Sequence, residues 1–138
     1  MSELAYIAIG SNMGDRRANL ALARKRLGVL TGSAIVAESD VEETSALTPD
    51  DAPQPEYLNQ IVALETTLSA AALLDALQKI EDEAGRTRDR KWGPRTLDLD
   101  IVLFGGQRIN TPSLTVPHPE LPKRDFWQRE LRQIRTDQ

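Results

Sequence analysis

Residues 92–106 read WGPRTLDLDIVLFGG, from Trp92 to Gly106. From Thr96 to Phe104 the alternation predicts a strand, because a pleated chain sends successive side chains to opposite faces. Leu97, Leu99, Ile101 and Leu103 fall on one face; Asp98 and Asp100 fall on the other, which turns apolar at Val102 and Phe104. Aspartate forms strands poorly, and a carboxylate beside an apolar run is costly to desolvate without a cation to meet it. Positions i and i+2 of a strand lie roughly 6.5 Å apart, so both carboxylates can approach one polyvalent cation or a close pair of them. A half-exposed strand with its polar face in water is the plainer reading of the same pattern. What argues for the cation is upstream. Arg86, Arg88, Arg90, Lys91 and Arg95 crowd into ten residues, opposed by Asp89 alone. Cations beside a carboxylate pair suit a magnesium-bound polyphosphate.

Outward from this stretch the chain alternates strands and helices. Leu4 to Ile9 is an apolar run rich in β-formers, read as a buried strand, and GSNMGD after it reads as a strand-to-helix turn without a Walker lysine. Asp15 can cap a helix with Leu20, Ala23, Leu27 and Leu30 at helical spacing, ended by Thr31-Gly32. Ser33 to Val41 offers a second strand. Thr44 to Glu56, with three prolines and three acidic residues, is not regular structure and has a length usually tied to function or disorder. Tyr57 to Leu68 is a third strand. Ser69 caps a second helix carrying Leu73, Leu77, Ile80 and Ala84 on one side, with Gly85 as its stop. After the signature strand come a turn at Gly105-Gly106, a return strand near Gln107 to Asn110, a proline-punctuated stretch and a short helix over Asp125 to Ile134. The order strand, helix, strand, strand, helix, strand predicts an α+β fold. It is the ferredoxin-like βαββαβ arrangement, an antiparallel sheet with helices packed on it, plus an appended hairpin and a C-terminal helix. Residues 1–138 are expected to form a single domain.

Composition narrows the classes. A net charge of −4 over 138 residues argues against a general nucleic-acid binder. No apolar run approaches the ~20 residues of a membrane span, and no signal-peptide pattern opens the chain. There is no cysteine and one histidine, which excludes disulfides, thiolate nucleophiles and multi-histidine metal sites. A cytoplasmic protein is expected, with small-molecule partners, no nucleic acid, no membrane, and a monomeric state.

The segment WGPRTLDLDIVLFG resembles the signature of the 6-hydroxymethyl-7,8-dihydropterin pyrophosphokinases, enzymes of the folate pathway. The resemblance runs from AYIAIGSNMGD through YLNQIVALET to LTVPHPEL and Arg124, and the last dozen or so residues depart from it. It implies transfer of pyrophosphate from ATP to the hydroxymethyl group of the pterin, releasing AMP, with two Mg2+ ions held by Asp98 and Asp100. Arg86 and Arg95 match the family's phosphate-contacting arginines. Gln78, Glu81, Arg88, Ile101, His118 and Arg124 match positions at or near the nucleotide. Tyr57, Asn59, Thr44, Trp92 and Phe126 match the pterin site and the loops that close over it. By spacing alone, Tyr57 and Asn59 share one face of a strand, while Gln78 and Glu81 share one side of a helix and read as solvated. His118 alone reads as an ordered loop residue, and a core role competes for Tyr57 and Phe126. The chain also departs from the family, with Glu42 where it has tyrosine, a slightly longer loop after the second strand, and a shortened tail. The alternatives are a shortened, non-catalytic paralogue binding nucleotide or pterin, a kinase making a monophosphate, and a nucleic-acid module on the same fold.

Overall fold

The computed structural model describes residues 2–12, 14–44, 56–84 and 97–135. Its central sheet is built from β1 (Glu3–Ser11), β2 (Ser33–Glu38), β3 (Glu42–Thr44), β4 (Tyr57–Thr66) and β5 (Asp98–Phe104). Strand order is β2-β4-β1-β5, every pairing is antiparallel, and β3 continues along β4 beyond the end of β2. Two helices connect these strands: α1 (Arg16–Gly28) between β1 and β2, and α2 (Ala70–Glu83) between β4 and β5. This is the ferredoxin-like order expected from the sequence.

Each connecting helix starts where the sequence provides a cap. Asp15 accepts from the Ala18 N–H at 3.0 Å and Ser69 from the Ala72 N–H at 3.1 Å, each satisfying one of the helix's orphan donors. Leu20, Ala23 and Leu27 of α1 and Leu73, Leu77 and Ile80 of α2 turn inward. They pack on Ala5, Ile7, Ile9, Leu58, Val62 and Leu64 to make one core layer. The opposite face of the sheet has its own cover, α3 (Asp125–Ile134). Its Trp127, Leu131 and Ile134 pack on Tyr6, Ala8, Ile61, Ala63, Val102 and Leu103. The sheet is therefore sandwiched, and β1 and β4 are apolar on both faces for that reason.

Three details differ from the sequence reading. First, strict alternation along β5 stops at a bulge, where the pairing with β1 shifts from Tyr6↔Leu103 to Ile7↔Ile101. The extra residue flips the phase of the remainder of the strand. Phe104, expected on the aspartate face, joins Leu97, Leu99 and Ile101 under α1 and α2, while Val102 and Leu103 both face α3. Second, the stretch read as one strand over Ser33 to Val41 is broken, giving β2 and a separate β3. Between them Ser39 turns inward, its Oγ accepting from the Ile61 N–H. Third, the return strand β6 (Ile109–Asn110) pairs with β7 (Thr115–Val116) in a two-stranded sheet of its own. Gly105 makes the turn possible at φ +54°, where any Cβ would strike the Glu3 side chain.

Candidate active site

At the end of the sheet where β1 runs out, the α3 side is left open as a cavity of about 330 Å³. That volume lies at the small end of the roughly 300–1,000 Å³ common for small-molecule sites. Register explains its walls. Gly10 of β1 sits between Asn59 of β4 and Asp98 of β5, while Ala8 pairs with Asp100. All of these point away from the α1–α2 core. Asp98 and Asp100 thus share one face, as the alternation upstream of the bulge requires. Tyr57, also on β4, and Thr44, on β3, extend the wall. Gly10 keeps the floor low, since a Cβ there would come within 3.3 Å of Asn59 Oδ1 and 3.6 Å of the Tyr57 ring. The Asn59 amide is fixed by donating to Thr44 Oγ1. Arg124, Phe126 and Trp127 close the cavity from the α3 side.

A second cavity, about 230 Å³, lies across Asp100. Leu74, Leu99 and Ile101 line it, with residues 112–115 and His118-Pro119. Asp100 belongs to both cavities. Its Oδ1 stands 3.6 Å from His118 Nε2, and its side chain is 41% exposed. His118 is oriented from its other nitrogen, because Nδ1 accepts from the Glu120 N–H at 3.0 Å. Its own backbone N–H donates to the Val102 carbonyl, holding this loop against β5.

Helix α2 contributes from below. Gln78 is exposed, but Glu81 is buried, and its Oε2 accepts from the Leu99 N–H at 2.8 Å. The one solvated side expected for this pair is therefore split. Glu81 ties the helix to the strand between the two aspartates, so removing it would leave a buried donor unsatisfied.

A family model described as 7,8-dihydro-6-hydroxymethylpterin-pyrophosphokinase matches residues 6–136. The chain belongs to this pyrophosphokinase family. Curated relatives agree, each named 2-amino-4-hydroxy-6-hydroxymethyldihydropteridine pyrophosphokinase. The one from Haemophilus influenzae is 43% identical over 96% of this chain and 82% of its own length. Those from Pseudomonas aeruginosa and Bacillus subtilis are 44% and 42% identical, over 91% and 97% of this chain and 76% and 79% of their own lengths.

Of the positions that the pyrophosphokinase resemblance singles out, seven line the first cavity: Thr44, Tyr57, Asn59, Asp98, Asp100, Arg124 and Phe126. Ile101 and His118 line the second, where Asp100 recurs. Arg86, Arg88, Trp92 and Arg95 lie outside the described residues, with the rest of the 85–96 stretch. Sequence reasoning passed over Trp127 and took Gly10 only as part of a strand-to-helix turn. A glycine inside an apolar strand signals close approach of another group, but an aromatic next to Phe126 carries no mark of which ring is buried. Trp127 is 2% exposed and is the core residue of the pair; Phe126 is half-buried, its ring 6.3 Å from the indole.

Asp98 and Asp100 also pass a test of fit for magnesium. Two carboxylates on one strand face, open to a cavity, suit a hard cation that keeps several waters and takes its other ligands from phosphate oxygens. Among the described residues no group of three or more His, Cys, Asp and Glu forms a closed cage. Such a set is poor for structural zinc and adequate for a cation that arrives with its nucleotide.

Proposed function

We propose that this chain transfers the pyrophosphoryl group of ATP to the hydroxymethyl oxygen of 6-hydroxymethyl-7,8-dihydropterin, with AMP as the leaving product, in folate biosynthesis. The observation that carries the site assignment is Asp100, a carboxylate shared by two adjoining cavities of different character. Phosphoryl transfer needs its two reactants side by side with charge stabilisation at the phosphates, and a carboxylate shared by two adjoining cavities is placed to hold the cation that supplies it.

The pterin occupies the first cavity. Tyr57 and Phe126 supply ring faces for a flat bicycle, and Asn59, held by Thr44, offers an amide edge to its hydrogen-bonding side. The nucleotide occupies the second, with Leu74 and Ile101 against its apolar parts and His118 toward its phosphates, which Arg124 meets from the first cavity. The hydroxymethyl oxygen attacks the β-phosphorus, the bond from that phosphorus to the α,β-bridging oxygen breaks so that the oxygen leaves with AMP, and the hydroxyl proton passes to water. Positioning and charge neutralisation carry most of the acceleration in such transfers. Two magnesium ions on Asp98 and Asp100 supply charge neutralisation at the phosphates when bound. Arg86 and Arg95 complete the anionic site by bidentate contact, and Trp92 covers the pterin. The reading is of a monomer that meets small molecules only.

The direct test is incubation with the reduced pterin and ATP, with and without Mg2+, and identification of the nucleotide product. AMP with the pterin diphosphate is expected, and only when Mg2+ is present. ADP would make the protein a simple kinase. Ligand binding without either product would make it the non-catalytic paralogue.

A further inference from the structure

The indole of Trp127 is buried under α3, yet it touches two polar side chains of the site. The Arg124 guanidinium carbon lies 4.5 Å from the ring centroid. The His118 ring meets it edge to face, with centroids 5.0 Å apart and planes at 88°. Arg124 faces the first cavity and His118 the second. One ring therefore lines the first cavity and touches a side chain that lines the second.

Each side chain has one carboxylate at the outer range of an ion pair and none at hydrogen-bond distance among the described residues. The nearest to Arg124 is Glu120, 3.9 Å from Nη2, and the nearest to His118 is Asp100, at 3.6 Å. Arg124 Nε is buried with no hydrogen-bond partner among those residues. A carboxylate in bidentate contact would fix the guanidinium but would neutralise it and compete with a phosphate for its donors. An aromatic face holds a cation through its quadrupole and leaves the net charge in place.

We propose that Trp127 is a positioning residue for the phosphate-binding groups: its ring holds Arg124 over one cavity and His118 over the other while leaving both able to meet anionic oxygen. The inference rests on the reading of the second cavity as the nucleotide site. It places α3 in the chemistry as well as in the core. The indole's bulk completes the second core, and its π-face orients the cation.

Substitution by a smaller residue would disturb both roles at once, so the test varies the ring's charge distribution at nearly constant volume. With Trp92→Phe, Trp127 becomes the sole tryptophan of the chain, since the sequence has two, and because Trp92 is assigned to the pterin every comparison is made within this variant. Biosynthetic incorporation of mono-, di- and trifluorotryptophan in that variant withdraws charge from the ring face step by step. Calorimetry with a non-hydrolysable Mg-ATP analogue should show Kd rising along the series, by about 2- to 30-fold in all, the span of cation–π contacts from exposed to desolvated. Melting temperature should hold steady, and pterin affinity should change much less. Arg124→Ala should weaken analogue binding and reduce the fluorine dependence to what His118 alone contributes. A flat series, or parallel losses in melting temperature and in both ligands, would overturn the inference by leaving Trp127 a core residue only. If the unsubstituted protein binds no analogue, the nucleotide reading itself fails and this inference falls with it.

Discussion

At the scale of single residues, burial separates the two aromatic rings of α3. Phe126 is half-buried and lines the cavity, so its removal opens little new void. Phe126→Ala should weaken pterin binding about tenfold through lost stacking and apolar contact. Its cost in stability should stay well below the ~3–5 kcal/mol of a fully buried phenylalanine. Calorimetry with the pterin beside a melting curve checks both halves; a large loss of stability with pterin affinity retained would move Phe126 out of the site. For the carboxylates the expectation is the reverse of a structural role. Asp100→Ala removes a group 41% exposed, so the fold should be kept while AMP formation disappears. Near-normal turnover in that variant would dismiss the metal assignment.

At the scale of elements, β3 and α3 are joined by a pair of carboxyl groups. Glu130 on α3 is fully buried, and as an anion neither of its oxygens would find a donor among the described residues. Burial, then the hydrogen bond to Glu42, pushes its pKa up to about 9. It therefore carries a proton and donates it to Glu42, whose own pKa is lowered by that bond and, secondarily, by Arg129 at 3.0 Å. Proton counting fixes the sign. Between the ordinary glutamate pKa and about 9 the folded chain holds a proton on Glu130 that the unfolded chain lacks, so stability falls as pH rises through that window. The limiting slope is about 1.4 kcal/mol per pH unit. Glu42 acts oppositely, losing its contribution as pH drops below the usual glutamate range. Glu130→Gln keeps the shape and a donor but does not titrate, and should flatten the decline in melting temperature between pH 6 and 8.5. Equal slopes in the two proteins would exclude the shared proton. Neither glutamate announced this in the sequence, since no spacing or period relates position 42 to position 130. Only the packing of α3 on the sheet brings them together. By contrast α3 itself was legible to the residue, because its apolar positions recur at helical spacing and its bounds coincide with the expected Asp125–Ile134.

For the whole molecule, the order of elements was readable because caps, glycines and periodicity all agreed, and agreement across levels is what specifies a fold. The faces of β5 were readable only as far as the bulge. One inserted residue has no side-chain signature, so the sequence pattern continues Leu103 and Phe104 on faces they do not occupy. The partner of β6 was hidden for a similar reason, since two-residue strands leave no period to detect. Site residues on regular elements, such as Asp98, Asp100, Tyr57 and Asn59, could be grouped by parity alone. The contact of His118 with Trp127 could not, because it joins a loop residue to a helix residue and no period links the two.

The described residues on either side of 45–55 are held to one another directly. Thr44 pairs with Tyr57 across β3 and β4, and Arg16 donates from one nitrogen to the Glu43 carboxylate at 3.0 Å and from the other to the Glu56 carbonyl at 2.6 Å. With both ends pinned, doubling the length of the connection costs only ~0.6 kcal/mol of closure entropy. Thr44 and Tyr57 then keep their places in the cavity wall whatever the length between them. A change in the number of residues between 44 and 57 therefore leaves this part of the cavity wall in place.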